Sequence, residues 1–236
     1  MNTFIITAGG IGKRMGTNLP KQFLLLKGKP VLLHTLERFH EADPTAQLLI
    51  TLPNDWLDYW NQLLNNHACN IPHEIISGGI ERYDSIKNAL KKSTGTIIAV
   101  HDGVRPLVSV KTITDCIDSA IKKGSGIPYL SIKESIRKRT TEGSVSLIRS
   151  EYVVVQTPQC FSYDTIMKAY KSAREDGFVG TDDSMLVERM GCKVKMIMGS
   201  YENIKITTPE DIVIAESILK DKEMIFEKRD FLFQSR

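Results

Sequence analysis

Phe4-Ile5-Ile6-Thr7-Ala8-Gly9-Gly10-Ile11-Gly12-Lys13-Arg14-Met15-Gly16 runs from an apolar strand into a glycine-rich turn and then a cationic segment, with Pro20-Lys21-Gln22 just behind it. Glycine at 9, 10 and 12 lets the backbone approach a ligand closely and turn successive N–H groups toward anionic oxygens. A helix N-terminus offers only about +0.5 of an elementary charge. A triphosphate therefore needs fixed side-chain cations as well, and Lys13, Arg14 and Lys21 supply them. The stretch predicts a phosphate cradle at the end of a strand.

Two named phosphate loops fit it poorly. A P-loop needs Ser or Thr directly after Gly-Lys, whereas Gly12-Lys13 is followed by Arg14, and position 7 is Thr. Gly10-x-Gly12 opens a dinucleotide fingerprint, but its third glycine position is Met15, and the next strand, Leu48 to Leu52, runs into Pro53-Asn54 rather than an acid. That counts against a nicotinamide oxidoreductase.

Outward from the turn, β-rich runs alternate with helix-period segments. Val31 to Ala42 places Leu32, Leu36 and Phe39 on one helical face, and Leu48 to Leu52 reads as a buried strand. Ile75-Ile76 is a short strand before Gly78-Gly79, and Ser85 is the expected N-cap of the next helix. Thr96 to His101 is a continuous apolar run suited to the middle of a parallel sheet. A helix over Lys111 to Lys123, a strand over Gly126 to Leu130, helices at Asp164 to Glu175 and Asp183 to Met190, and a strand over Lys193 to Met198 follow. Thr208-Pro209-Glu210-Asp211 is a strong helix start. The succession predicts an α/β, Rossmann-like, doubly wound and mostly parallel sheet, with ligands beyond the carboxyl ends of its strands. Gly9 to Gly12, Gly78-Gly79 and Asp102-Gly103 all follow predicted strands and should gather on that edge.

Between Ser131 and Val153 the pattern changes to a polar hairpin with a turn at Glu142-Gly143. So little apolar surface makes an isolated two-stranded arm marginal, and a second subunit is a candidate support. The whole of 1-236 reads as a single domain, with the protruding β-hairpin arm at about 132-153.

Composition narrows the classes. The 236 residues are 42% hydrophobic and 25% charged, enough for a sizeable core. Thirty-one basic against 28 acidic residues leave a net charge of +3, too balanced for bulk nucleic-acid binding. Cys69, Cys116, Cys160 and Cys192 form no C-x-x-C pair and no zinc spacing, which predicts free thiols in a reducing cytoplasm. With a strand starting near Met1 and no apolar run of roughly 18 residues, neither a signal peptide nor a membrane span is expected.

In Val100-His-Asp-Gly-Val-Arg-Pro106, Asp102 is a carboxylate just past a buried strand, suited to holding Mg²⁺ on phosphate oxygens, and Arg105 can grip a second anion. The structural alternative is that Asp102 caps the following turn and Arg105 pairs with it. Thr157-Pro-Gln159, Thr181-Asp-Asp183 and Lys205-Ile-Thr207 put further polar groups at predicted element ends.

Together, Ala8 to Gly16 with Pro20-Lys-Gln-Phe23, Gly78-Gly-x-x-Arg82-x-x-Ser85, His101-Asp-x-x-Arg-Pro106, Thr157-Pro-Gln159, Thr181-Asp-Asp183 and Glu202 to Asp211 resemble the 2-C-methyl-D-erythritol 4-phosphate cytidylyltransferase family, in order from Ile5 to about Leu219. The resemblance implies that a polyol phosphate attacks the α-phosphorus of CTP with Mg²⁺ (or another divalent cation), releasing pyrophosphate without a covalent intermediate. It implies that Arg14, Lys21 and Lys205 stabilise the triphosphate and transition state. Ala8, Gly9, Gly79 and Ser85 would contact cytosine, with Gly10 and Gly12 in the same CTP loop and Gly103 at the ribose. Asp102 would hold the metal or orient the acceptor. Arg105, Thr157 and Thr181 would bind the acceptor, joined by Ser135 and Arg149 from the arm of a homodimer partner.

Two positions depart from the family pattern. Ile80 stands where relatives often carry an acid, which only a backbone contact to cytosine would survive, and Ser135 stands where Thr is common. A ribitol 5-phosphate cytidylyltransferase is the nearest alternative, through the same CTP loop and the Asp-x-Val-Arg-Pro form. A nucleotide-binding regulator without turnover is a further one, against which the retained cations argue.

Overall fold

Apolar runs dictate the centre of the molecule. The computed structural model describes residues 1–10 and 19–234, and the side chains of 1–10 and 19–221. The expected Gly12 and Arg14 contacts lie outside the described residues. In chain order the first half holds β1 (Asn2–Thr7), β2 (Leu25–Leu26), β3 (Lys29–Pro30), α1 (Val31–Ala42), β4 (Gln47–Leu52), α2 (Leu57–Asn66), β5 (Glu74–Ser77), α3 (Arg82–Leu90) and β6 (Ile97–Asp102). The second half holds α4 (Val110–Lys123), β7 (Ser125–Ser131), β8 (Arg137–Thr140), β9 (Gly143–Ser146), β10 (Val153–Val155) and β11 (Gln159–Ser162). It closes with α5 (Tyr163–Glu175), α6 (Asp183–Arg189), β12 (Met196–Met198) and α7 (Pro209–Gln234).

The main sheet runs β10-β7-β11-β6-β1-β4-β5, with β12 also paired to β7. β1 pairs in parallel with both β4 and β6, and β5 in parallel with β4. β11 is inserted antiparallel between β6 and β7. This is the α/β, mostly parallel, doubly wound architecture expected. Alternation along β1 explains its unbroken apolar run: Phe4 and Ile6 pack on one face with Leu36 and Phe39 of α1, while Ile5 packs on the other with Ile86 of α3 and Ile166 of α5.

Register positions the site. Thr7 lies opposite both Thr51 and Asp102, so β1, β4 and β6 end level. The chain then turns at Ala8-Gly9, Pro53 and Gly103 along one edge.

Three expectations change. Ser85 is not the N-cap of α3; the helix begins four residues earlier than that cap implies, with Glu81 as cap and Asp84 completing a reciprocal capping box. Of Lys193 to Met198, only Met196–Met198 pairs with β7. The hairpin turn sits at Thr141-Glu142, because Thr140 pairs with Gly143, whose φ of 140° suits glycine. Cys116 and Cys160 are buried, and all four cysteines are free.

Candidate active site

Five separate segments converge beyond the level strand ends on a cavity of about 380 Å³. Ala8, Gly9 and Gly10 come from the turn after β1, Lys21 from the following 3-10 turn, Gly79, Arg82 and Ser85 from the entry to α3, Asp102 from β6, and Lys205 from the loop before α7.

Hydrogen bonds fix the glycine turns. Ala8 N–H donates to Thr51 O at 3.0 Å, and the buried Gln22 donates its Nε2 to Ala8 O at 2.6 Å, tying the Lys21 turn to the glycine loop. Gly79 N–H donates to Ser85 Oγ at 2.9 Å, and Ser85 Oγ donates to Glu81 O at 3.2 Å. A Cβ on Gly79 would stand 2.1 Å from Asp84 Cβ, so no other residue fits without moving the first turn of α3. Across the gap, a Cβ on Gly9 would lie 3.6 Å from Ser85 Oγ, so both turns face the same hydroxyl.

Asp102 is the electrostatic centre. Lys205 Nζ lies 2.9 Å from Oδ2, Arg105 Nε 3.2 Å from the same oxygen, and Arg82 Nε 3.6 Å from Oδ1. Burial alone would push this carboxyl up, but Lys205, Arg82 and Arg105 outweigh it and hold Asp102 ionised well below the ordinary carboxylate range. Arg105 also donates Nη1 to Asn203 O at 2.8 Å. The Arg105–Asp102 pairing is thus the structural alternative raised by the sequence, and Arg105 is not among the cavity-lining residues.

Behind Asp102, His101 is fully buried. Its Nε2 is 3.2 Å from Arg105 O, an acceptor, so that nitrogen carries the proton and Nδ1 accepts from Thr157 Oγ1 at 2.9 Å. Burial lowers the imidazole to about 3, against an opposing pull from Asp102. The Thr157 hydroxyl also accepts from Asp102 N–H at 3.1 Å, so both its roles are used within the fold. Gly103 is packed against β1, its N–H donating to Thr7 O at 2.8 Å.

Thr181 lines a neighbouring cavity of about 210 Å³, separated from the first by Glu81 and Arg82, which line both. Ser135 and Arg149 sit on the exposed arm, outside both linings, with Arg149 donating to Lys133 O. Within one chain the candidate residues therefore divide. Ala8, Gly9, Gly10, Lys21, Gly79, Ser85, Asp102 and Lys205 meet in the main cavity. Gly103, Arg105 and Thr157 form its support, Thr181 stands next door, and Ser135 and Arg149 stand apart. Sequence reasoning gave no role to Arg82, although its place in Gly-Gly-x-x-Arg was a signal.

Asp102 and Glu81 are the carboxylates of the main cavity, and Glu81 is engaged in the α3 cap. Among the described residues no group of three or more His, Cys, Asp or Glu side chains could cage a metal. That donor set fits a cation carried largely by substrate phosphates and water with one protein carboxylate, the usual habit of Mg²⁺.

Comparison with known proteins agrees with this geometry. Residues 3–221 match the family model of 2-C-methyl-D-erythritol 4-phosphate cytidylyltransferase. The chain is 43% identical over 218 residues to the 2-C-methyl-D-erythritol 4-phosphate cytidylyltransferase of Bacteroides fragilis, covering 92% of this chain and 99% of that one. It is 44% identical over 217 residues to that of Porphyromonas gingivalis, covering 91% and 96%. Among solved structures, 4-diphosphocytidyl-2C-methyl-D-erythritol synthase from Anaerococcus prevotii superposes with a TM-score of 0.82 at 28% identity, over 93% of this chain and 96% of that one. The Thermus thermophilus cytidylyltransferase gives 0.76 at 27% identity, over 93% and 100%. The chain belongs to the 2-C-methyl-D-erythritol 4-phosphate cytidylyltransferase family.

Proposed function

We propose that this chain joins 2-C-methyl-D-erythritol 4-phosphate to the cytidylyl group of CTP, a step of isoprenoid precursor synthesis. An oxygen of the acceptor phosphate bonds to the α-phosphorus of CTP, the bond from that phosphorus to the bridging oxygen breaks, and pyrophosphate leaves with the electron pair. The carrying observation is a cavity edged by glycine turns that Lys21 lines together with Asp102 and the two cations paired to it, Arg82 and Lys205. Such chemistry needs positioning and charge neutralisation more than acid–base groups, and the buried, neutral His101 is engaged in the fold.

In this reading Lys21 and Lys205, with Arg14, draw charge off the triphosphate. The turn at Ala8 to Gly10 and the one at Gly79, held by Ser85, receive the nucleotide together with Gly12 of the same glycine-rich stretch, with Gly103 near the ribose. Arg105, Thr157 and Thr181 serve the acceptor side, directly or by holding its walls. Asp102 would be the protein ligand of a divalent cation, which neutralises phosphate charge when bound.

Homodimerisation through the arm at about 132-153 of a single nucleotidyltransferase domain is part of the same reading. It would bring Ser135 and Arg149 to the partner's acceptor site. Its support is an apolar edge: Val153, Val154 and Val155 of β10 are all exposed, and Val145 and Ile148 earlier in the arm are exposed as well. A lone sheet edge of that kind invites pairing or cover. Work in a reducing cytoplasm suits the four free thiols, and among the described residues no helix is long and apolar enough to cross a membrane.

The test is pyrophosphate release from CTP and Mg²⁺ with 2-C-methyl-D-erythritol 4-phosphate or ribitol 5-phosphate supplied separately. Turnover with the first acceptor is expected. Turnover with ribitol 5-phosphate alone, or CTP binding with no release from either, contradicts the assignment.

A further inference from the structure

Thr181-Asp182-Asp183 carries two adjacent carboxylates with opposite tasks. Asp182 closes the N-terminus of α6: its Oδ1 accepts from Met185 N–H at 2.9 Å, and its Oδ2 from Gln159 Nε2 at 2.8 Å and Ser184 Oγ at 2.9 Å. Asp183 faces elsewhere and is only 1% exposed. Its Oδ1 accepts from the Tyr170 hydroxyl at 2.5 Å and its Oδ2 from Arg82 Nη2 at 2.8 Å. Tyr170 is itself pinned, its ring stacked on Tyr83 with centroids 4.8 Å apart and its carbonyl accepting from the Tyr83 hydroxyl at 2.7 Å.

Arg82 stands at the wall shared by the two cavities. Its contact with Asp183 is shorter than its 3.6 Å approach to Asp102. A guanidinium carries five N–H donors in one rigid plane, so anchoring one edge fixes where the others point. Without Asp183, attraction would draw Arg82 onto Asp102, which Lys205 and Arg105 already share.

We propose that Tyr170 and Asp183 are positioning residues that hold Arg82 between the donor and acceptor phosphates, where its charge offsets their mutual repulsion as the new P–O bond forms. This rests on the transfer reaction proposed above. Arg82 takes up no proton in the step and stays a cation throughout.

The test compares kcat, both KM values and thermal melting for the wild type, Arg82→Ala, Asp183→Asn, Tyr170→Phe and the Arg82→Ala/Asp183→Asn double variant, with CTP, Mg²⁺ and 2-C-methyl-D-erythritol 4-phosphate. Losing the charge itself through Arg82→Ala should lower kcat about 100-fold, the scale of removing one electrostatic donor. Asp183→Asn should lower kcat roughly tenfold with smaller changes in either KM, and Tyr170→Phe about threefold. The double variant should be no slower than Arg82→Ala alone and should melt at a higher temperature, since Arg82→Ala leaves a buried carboxylate unpaired. Independent roles for Arg82 and Asp183 predict losses that multiply. That result, or wild-type kcat in Asp183→Asn, overturns the inference. If Asp183→Asn does not fold, Tyr170→Phe decides, and unchanged kcat overturns it. A wild type that binds CTP without turnover contradicts the reaction and this inference together, whereas full wild-type turnover with an unimpaired Asp183→Asn contradicts the inference alone.

Discussion

Lys205 Nζ lies 2.9 Å from Asp102 Oδ2, bringing a cation from the loop before α7 onto the carboxylate that ends β6. Lys21 reaches the same cavity from the turn behind β1. Lys205→Met and Lys21→Ala should each cost about 2–3 kcal/mol or more of transition-state stabilisation, the scale of one lost electrostatic donor. Steady-state kcat measures it, and an unchanged kcat removes that lysine from the mechanism.

Gly79→Ala should raise the KM for CTP by about tenfold, because its Cβ would meet Asp84 Cβ at 2.1 Å and the turn would pull away from Ser85. Calorimetric CTP titration of a correctly folded variant checks this. Wild-type affinity would mean that the turn does not touch the nucleotide.

His101 sets a pH dependence of stability. Folded, its imidazole binds a proton only near pH 3, whereas unfolded it binds one near its ordinary value of about 6.5. Between those values the unfolded state holds the extra proton, so stability falls as pH drops from about 6.5 toward 3, by at most about 1.4 kcal/mol per unit. Urea unfolding of metal-free protein from pH 7 to pH 4 should show that slope, and His101→Gln should flatten it. Equal slopes in both proteins would contradict the assignment.

Much of this was legible in the sequence because it is local. The β1 run and its glycines, the Val31–Ala42 stripe and the Thr208-Pro209 helix start each carry their signal within a few residues. The α3 cap was misread because Ser85 is a favoured cap residue, whereas Glu81 caps only with Asp84's reciprocal bond. Arg82 was harder still, since its partners lie at Asp102 and Asp183 and nothing near it in the chain announces them. Arg105 showed its charge but not that Asp102 and Asn203 O would occupy it.

Arg149→Ala should raise the acceptor KM and leave CTP affinity unchanged, because Arg149 sits on the exposed arm outside the main cavity. Initial rates at varied acceptor and varied CTP separate the two. A change in CTP affinity alone would mean that the arm serves the nucleotide instead.

The most direct measurement is a crystal structure of the protein with CTP bound. The account predicts the triphosphate in the cavity between Gly9 and Gly79, with Lys21 and Lys205 nitrogens within about 3 Å of its oxygens. CTP seated elsewhere, or phosphates turned away from both lysines, would contradict it.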